Sequence, residues 1–119
     1  MCNIVFYEME NGRCPVKEFL KSVYKQELKY SASMQTYLDA LEMYGEKINN
    51  YHSNAIKHLE GDIWELRPYG NRVLFFFFQD KDHIVLLDGH KKSVKNKIVQ
   101  RCIKGAQEKA DIYKERNKL

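Results

Sequence analysis

The sequence predicts an α+β domain in the order β-α-α-β-β-β-α, with a four-stranded, mainly antiparallel sheet packed against a helical hairpin and a C-terminal helix. Three observations predict it. Residues Ile63 to Lys92 read as three strands joined by two tight turns. Two stretches of helical periodicity precede them, and a third, rich in lysine, follows. A chain of 119 residues forms one domain, 1–119, large enough for a single core between packed layers.

Each element has its own signal. In Asn3 to Glu8, Ile4 and Phe6 alternate with Val5 and Tyr7, the pattern of a short strand that Gly12 ends. Cys14-Pro15 fits a helix entry with Pro in the first turn, and Val16, Phe19, Leu20, Val23, Tyr24 and Leu28 fall close to helical spacing. Ser31 or Ser33 is placed to cap a second helix carrying Met34, Tyr37, Leu38, Leu41 and Ile48. Asn49 to Asp62 has no clear period and turn residues at both ends, so it reads as a surface loop.

The meander comes next. Ile63 to Arg67 is β-prone, and Pro68-Tyr69-Gly70-Asn71 is turn chemistry, because Pro fixes φ while Gly and Asn accept positive φ. Val73 to Phe78 is apolar throughout, as expected of a strand covered on both faces. Gln79 to Asp82 makes the second turn, His83 to Asp88 the last strand, and Gly89 to Lys92 a polar exit. If the first turn pairs Arg67 with Arg72, the period of two puts Glu65, Arg67 and Arg72 on one face. Val94 to about Arg116 is the third helix, with Ile98, Cys102 and Ala106 beside Val99, Ile103 and Ala110.

Composition narrows the class. Hydrophobic residues make up 44% and charged residues 30%, which fits a globular domain, and no apolar run approaches the roughly 18 residues that span a bilayer. The start lacks a basic segment followed by a long apolar core, so a cytoplasmic location without membrane contact is expected. Cys2, Cys14 and Cys102 are an odd number without C-x-x-C spacing, and are read as free thiols. Nucleotide-binding, dinucleotide-binding and metalloprotease signatures are missing, and four scattered histidines suggest no metal site or cofactor. The net charge of +4 is polarised: from Gly89 onward ten Lys or Arg stand against three acids. That asymmetry suits a polyanion or an acidic protein partner, although a solvated lysine-rich helix face would look the same.

What remains is a cationic constellation at strand ends: Lys57, His58, Arg67, Arg72, His90, Lys91 and Lys92, with Lys95 just beyond. Metal-free RNA cleavage needs a base for the ribose 2′-hydroxyl, cations on the phosphate and an acid for the leaving 5′-oxygen. Arg suits bidentate phosphate contact, Lys acts as a point charge, and His titrates near neutrality unperturbed. Against this, Arg67 could simply pair with Glu65, and a single His58 or His90 is more often an ordinary surface histidine. Arg72 is expected at the surface, where substitutions cost about 0.5 kcal/mol or less.

The succession IKHLEGDIWELRPYGNRVLFFFF, then IVLLDGHKK, then a basic helix resembles the HigB branch of the RelE/ParE toxin superfamily, over roughly Lys57 to Lys97. The resemblance implies a RelE-like fold and a type II toxin: an endoribonuclease that cleaves mRNA on the translating ribosome, restrained by a helix-turn-helix antitoxin encoded beside it. It puts the phosphate-handling arginine at Arg72 and the basic residue after the glycine at Lys91, with Lys57 or His58 near a basic or histidine position of some members. RelE itself carries lysines where this chain has Ile63 and Glu65, and a tyrosine where it has Lys97. The acid and base are therefore nominated on chemistry alone, as His90 and His58. Arg72, Lys91, His90 and His58 are the catalytic candidates, and Lys57, Arg67, Lys92 and Lys95 the substrate-binding ones. A ParE-like toxin that inhibits a topoisomerase by binding, or an inactive interaction module, would occupy the same fold.

Overall fold

A computed structural model describes residues 1–118. Strand β1 (Asn3–Phe6) leads to helices α1 (Pro15–Tyr24) and α2 (Leu28–Tyr44), then a 3-10 turn at Gly45–Asn50. Strands β2 (Ile56–Glu60), β3 (Ile63–Leu66), β4 (Asn71–Phe77) and β5 (His83–Lys91) follow, and α3 (Asn96–Arg116) ends the chain.

The α+β class and the β3-β4-β5 meander are as expected, but the sheet is five-stranded and mixed rather than four-stranded, in the order β1-β5-β4-β3-β2. The added strand is β2, inside the segment read as a loop. It sits at the sheet edge with Lys57, His58 and Glu60 exposed, so only Ile56 is fully buried and no apolar alternation marks it. A two-residue turn with Gly61 at φ 54° pairs it antiparallel to β3. At the opposite edge β1 runs parallel to β5, from Asn3 beside His83 to Phe6 beside Leu86.

Helices cover both faces. The α1–α2 hairpin packs Val16, Leu20, Val23, Met34 and Leu41 on Leu66, Val73, Phe75, Ile84 and Leu86. On the other side α3 lays Ile103, Ala106 and Ala110 against Ile63, Leu74, Phe76, Val85 and Leu87. The apolar run of β4 is thus explained by burial on two sides, with Phe75 and Phe76 both fully enclosed. A register shift in the β4–β5 ladder leaves Leu87 as the extra residue between Leu86 and Asp88.

Several boundaries differ from the sequence reading, among them that Leu28, read as part of the first helix, opens the second, and that Ile48, read as part of the second, lies in the 3-10 turn. Helix α2 starts at Leu28, so Ser31 and Ser33 lie inside it: Ser31 Oγ donates to the Leu28 carbonyl, and Ser33 Oγ accepts the Tyr69 N–H at 2.9 Å. Strand β5 runs on to Lys91 instead of stopping at Asp88. Gly89 belongs to it for lack of space, since a Cβ there would lie 2.2 Å from the Phe19 ring. All three cysteines are free, and among the described residues no helix is long and apolar enough to cross a membrane.

Candidate functional site

The β3–β4 turn determines what gathers at one end of the sheet. Asn71 N–H donates to the Pro68 carbonyl at 3.2 Å, and Gly70, at φ 73°, lets the Tyr30 ring lie where a side chain would otherwise stand. Continuing the β3–β4 register past Leu66–Val73 brings Arg67 opposite Arg72. Glu65 joins them, 3.8 Å from Arg67 Nε and 3.8 Å from Arg72 Nε. Two guanidiniums and one carboxylate therefore share a surface, as the period of two predicts.

Arg72 is not the surface residue the sequence suggests. It is 9% exposed, and its Nη1 donates to the Asn71 carbonyl at 2.8 Å and the Pro68 carbonyl at 3.2 Å. Burial pulls its pKa below the ordinary arginine value, Glu65 opposes that shift, and Arg67 adds to it. The strand end thus holds a partly desolvated cation whose Nη1 is tied to the turn, while among the described residues no hydrogen bond uses Nη2. Such a group is pre-oriented for an anion.

Arg67, Arg72 and Lys92 border a cleft of about 420 Å³ with Tyr30, Ser33, Tyr37 and Tyr69. A second hollow of about 670 Å³, walled by Gln26, Glu27, Lys91 and Ser93, shares Tyr30, Gly70 and Lys92 with it. Lys92 is fastened by its N–H to the Gly70 carbonyl at 3.0 Å, which ties the β5 exit to the turn. Four cations nominated from the sequence therefore line two adjoining hollows of one cleft region.

The other four candidates lie apart from it. His90 is the cross-strand partner of Arg72 but is buried and borders neither hollow. Its Nδ1 lies 2.8 Å from the Lys91 carbonyl, which only accepts, so Nδ1 carries the proton of the neutral ring. Nε2 is buried without a partner among the described residues. His58 sits toward the β2–β3 turn, with Nε2 2.8 Å from the Gly61 carbonyl and its ring 5.1 Å from Trp64. Lys57, beside Glu65 in the β2–β3 register, is exposed over a separate shallow hollow. Lys95 is exposed immediately before α3 and borders neither part of the cleft. Among the described residues no three His, Cys, Asp or Glu come together as metal ligands would.

Sequence reasoning missed the aromatic wall. Tyr30 and Tyr69 stack at 5.3 Å with their planes 28° apart, and Lys29 Nζ lies 5.3 Å and 5.5 Å from the two ring centres. Tyr30, Ser33 and Tyr37 follow i, i+3, i+7 on α2, a spacing that reads as core, and only the fold shows that this stripe also reaches the cleft. No curated protein matches the chain. Residues 20–111 match the family described as phage derived protein Gp49-like (DUF891), which is related to the RelE-like toxins of toxin–antitoxin systems, and the chain belongs to that family.

Proposed function

We propose that the chain is the toxin of a type II toxin–antitoxin pair in the HigB-like branch, a metal-independent endoribonuclease that cleaves mRNA on the translating ribosome. The observation that carries this reading is the meeting of Arg67, Arg72, Lys91 and Lys92 with a tyrosine stack around two adjoining hollows. Cations at that density suit a phosphodiester backbone, and exposed aromatic faces suit unpaired bases.

In this scheme Arg72 and Arg67 grip the scissile phosphate, and Arg72 stabilises the charge that grows on its oxygens. His90 Nε2, the unprotonated nitrogen of the neutral ring, takes the proton of the 2′-hydroxyl, and the 2′-oxygen attacks phosphorus. Lys91 gives a proton to the departing 5′-oxygen, leaving a 2′,3′-cyclic phosphate and a 5′-hydroxyl. Nε2 is buried in the free chain and His90 borders neither hollow, so this step requires a rearrangement on RNA binding that exposes it beside Arg72, its cross-strand neighbour. Lys92 holds a flanking phosphate, Lys57 and Lys95 contact RNA farther out, and His58 has no step.

Transcript-end mapping after brief induction tests the reading. New ends inside reading frames are expected, and their loss when translation is blocked would place the cleavage on the ribosome. Intact transcripts with broken DNA would overturn the nuclease in favour of topoisomerase inhibition. The proposed partner is a helix-turn-helix antitoxin encoded alongside, with an acidic segment that covers Arg72, Lys91 and Lys92. Co-expression should restore growth and give a complex that weakens as salt rises.

A further inference from the structure

We infer that the larger hollow of the cleft reads one nucleobase, and that the base is guanine. The inference rests on the RNA-cleaving reading, because it assigns a specificity to the same cleft. Lys91 and Lys92 give the hollow its phosphate-binding charge, Tyr30 supplies an aromatic wall, and Gln26 and Glu27, from the α1–α2 corner, complete the lining. At about 670 Å³ it has room for a nucleotide with its base and phosphate together.

The wall is stiff. Tyr30 is stacked on Tyr69, Lys29 sits over both rings, and the Tyr69 N–H is anchored on Ser33, so a base stacking there meets a surface already ordered. The lining also carries one acid, Glu27. Glu27 makes no side-chain hydrogen bond to its own helix, and its ion pair with Lys29 is 3.6 Å long and open to solvent, so little is lost when the carboxylate changes partner. A carboxylate offers two acceptors and no donor. Guanine matches it with N1–H and the N2 amino group side by side, and leaves O6 as an acceptor for the Gln26 amide. Adenine and cytosine present one amino group next to a bare ring nitrogen, and uracil one N–H between two carbonyls, so each sets an acceptor against the carboxylate.

The test measures binding of three short 2′-O-methyl oligonucleotides, which cannot be cut, carrying guanine, hypoxanthine or adenine at one central position among uracils. Guanine is expected to bind about tenfold more tightly than adenine, the size of one well-formed bidentate contact. Hypoxanthine, which lacks the N2 amino group, falls between them. Glu27→Gln should bring the three affinities together while its thermal melt stays at the wild-type value, and Tyr30→Leu should weaken all three alike. Equal binding of the three by the wild type, no binding of any, or an unchanged guanine preference in Glu27→Gln would overturn the assignment. The nuclease reading fails separately: intact transcripts with guanine-selective binding would remove cleavage and keep the pocket, while cut transcripts with unselective binding would do the reverse.

Discussion

Removing the Arg72 side chain tests whether one guanidinium both organises the turn and handles phosphate. Arg72→Ala deletes two hydrogen bonds to the Asn71 and Pro68 carbonyls and leaves Glu65 with Arg67 alone. Hydrogen bonds from a charged donor contribute about 1.5 kcal/mol each or somewhat more, so the two together are worth about 3 kcal/mol. The ion pair adds little at 3.8 Å, because Glu65 keeps its second cation. For a domain of this size, about 3 kcal/mol lowers the melting midpoint by about 10 °C. Urea unfolding at 20 °C, where the variant is still folded, gives the free energy, and growth arrest at the same temperature gives the activity. Arg72→Lys keeps the charge without the fork, and is expected to recover part of the stability and little of the toxicity. A loss under about 0.5 kcal/mol for Arg72→Ala would refute the structural role, which is the value expected of a surface arginine. Full toxicity in the folded variant would refute the phosphate role.

Gly89→Ala forces a Cβ into the Phe19 ring and should cost about 1–3 kcal/mol in urea unfolding, much of it recovered in the Gly89→Ala/Phe19→Leu double variant. Asn49→Ala removes both side-chain bonds to the Ile56 backbone, at 2.9 and 3.0 Å, and should cost about 1–2 kcal/mol and promote concentration-dependent self-association of the freed β2 edge, read by light scattering. The Lys114 hydrogen bond holds the Asp62 carboxyl below its ordinary value of 3.8, so the stability from this pair is complete above that value and disappears as pH falls through the lower folded value. Lys114→Met should therefore narrow the gap between the stabilities at neutral pH and at pH 2, and an unchanged acid limb would exclude the linkage. In single-turnover RNA cleavage, His90→Gln should lower the rate by about 10²-fold or more, the size of a general-base contribution, while oligonucleotide binding stays near the wild-type level; an unchanged rate would remove His90 from the mechanism.

The meander was legible because its signals were local: Pro68 to Asn71 and Gln79 to Asp82 are turn residues around runs of apolar side chains. The Glu65, Arg67 and Arg72 grouping followed from the period of two. Strand β2 was hidden because an edge strand has little to bury, and its pairing is specified by β3 rather than by its own residues. The parallel β1–β5 pair depends on a contact about eighty residues apart, for which a four-residue strand carries no signal. At the site, residue type showed where cations would cluster but not which ones the sheet would turn toward each other. Tyr30 and Tyr37 carry the same spacing as Met34 and Leu41, and only packing separates the two roles.

The position of the cleft follows from how the two helical layers cover the sheet. Over most of its area β4 is enclosed on both faces, by the hairpin through Val73 and Phe75 and by α3 through Leu74 and Phe76. At its first residues the apolar side chains give way to Asn71 and Arg72, both buried, and the cleft opens beside the turn they close. A cation there is costly to bury, and the turn carbonyls and Glu65 offset the cost, so the same contacts hold the guanidinium oriented before any anion arrives. This coupling separates two ways of losing toxicity. Changes at Arg67, Lys91, Lys92 or Tyr30, which are half-buried or exposed, should disarm the protein and leave it folded. Changes at Arg72 remove function and lower stability together. Selection for survivors of induction that still accumulate intact protein should therefore return substitutions at the first group and few at Arg72.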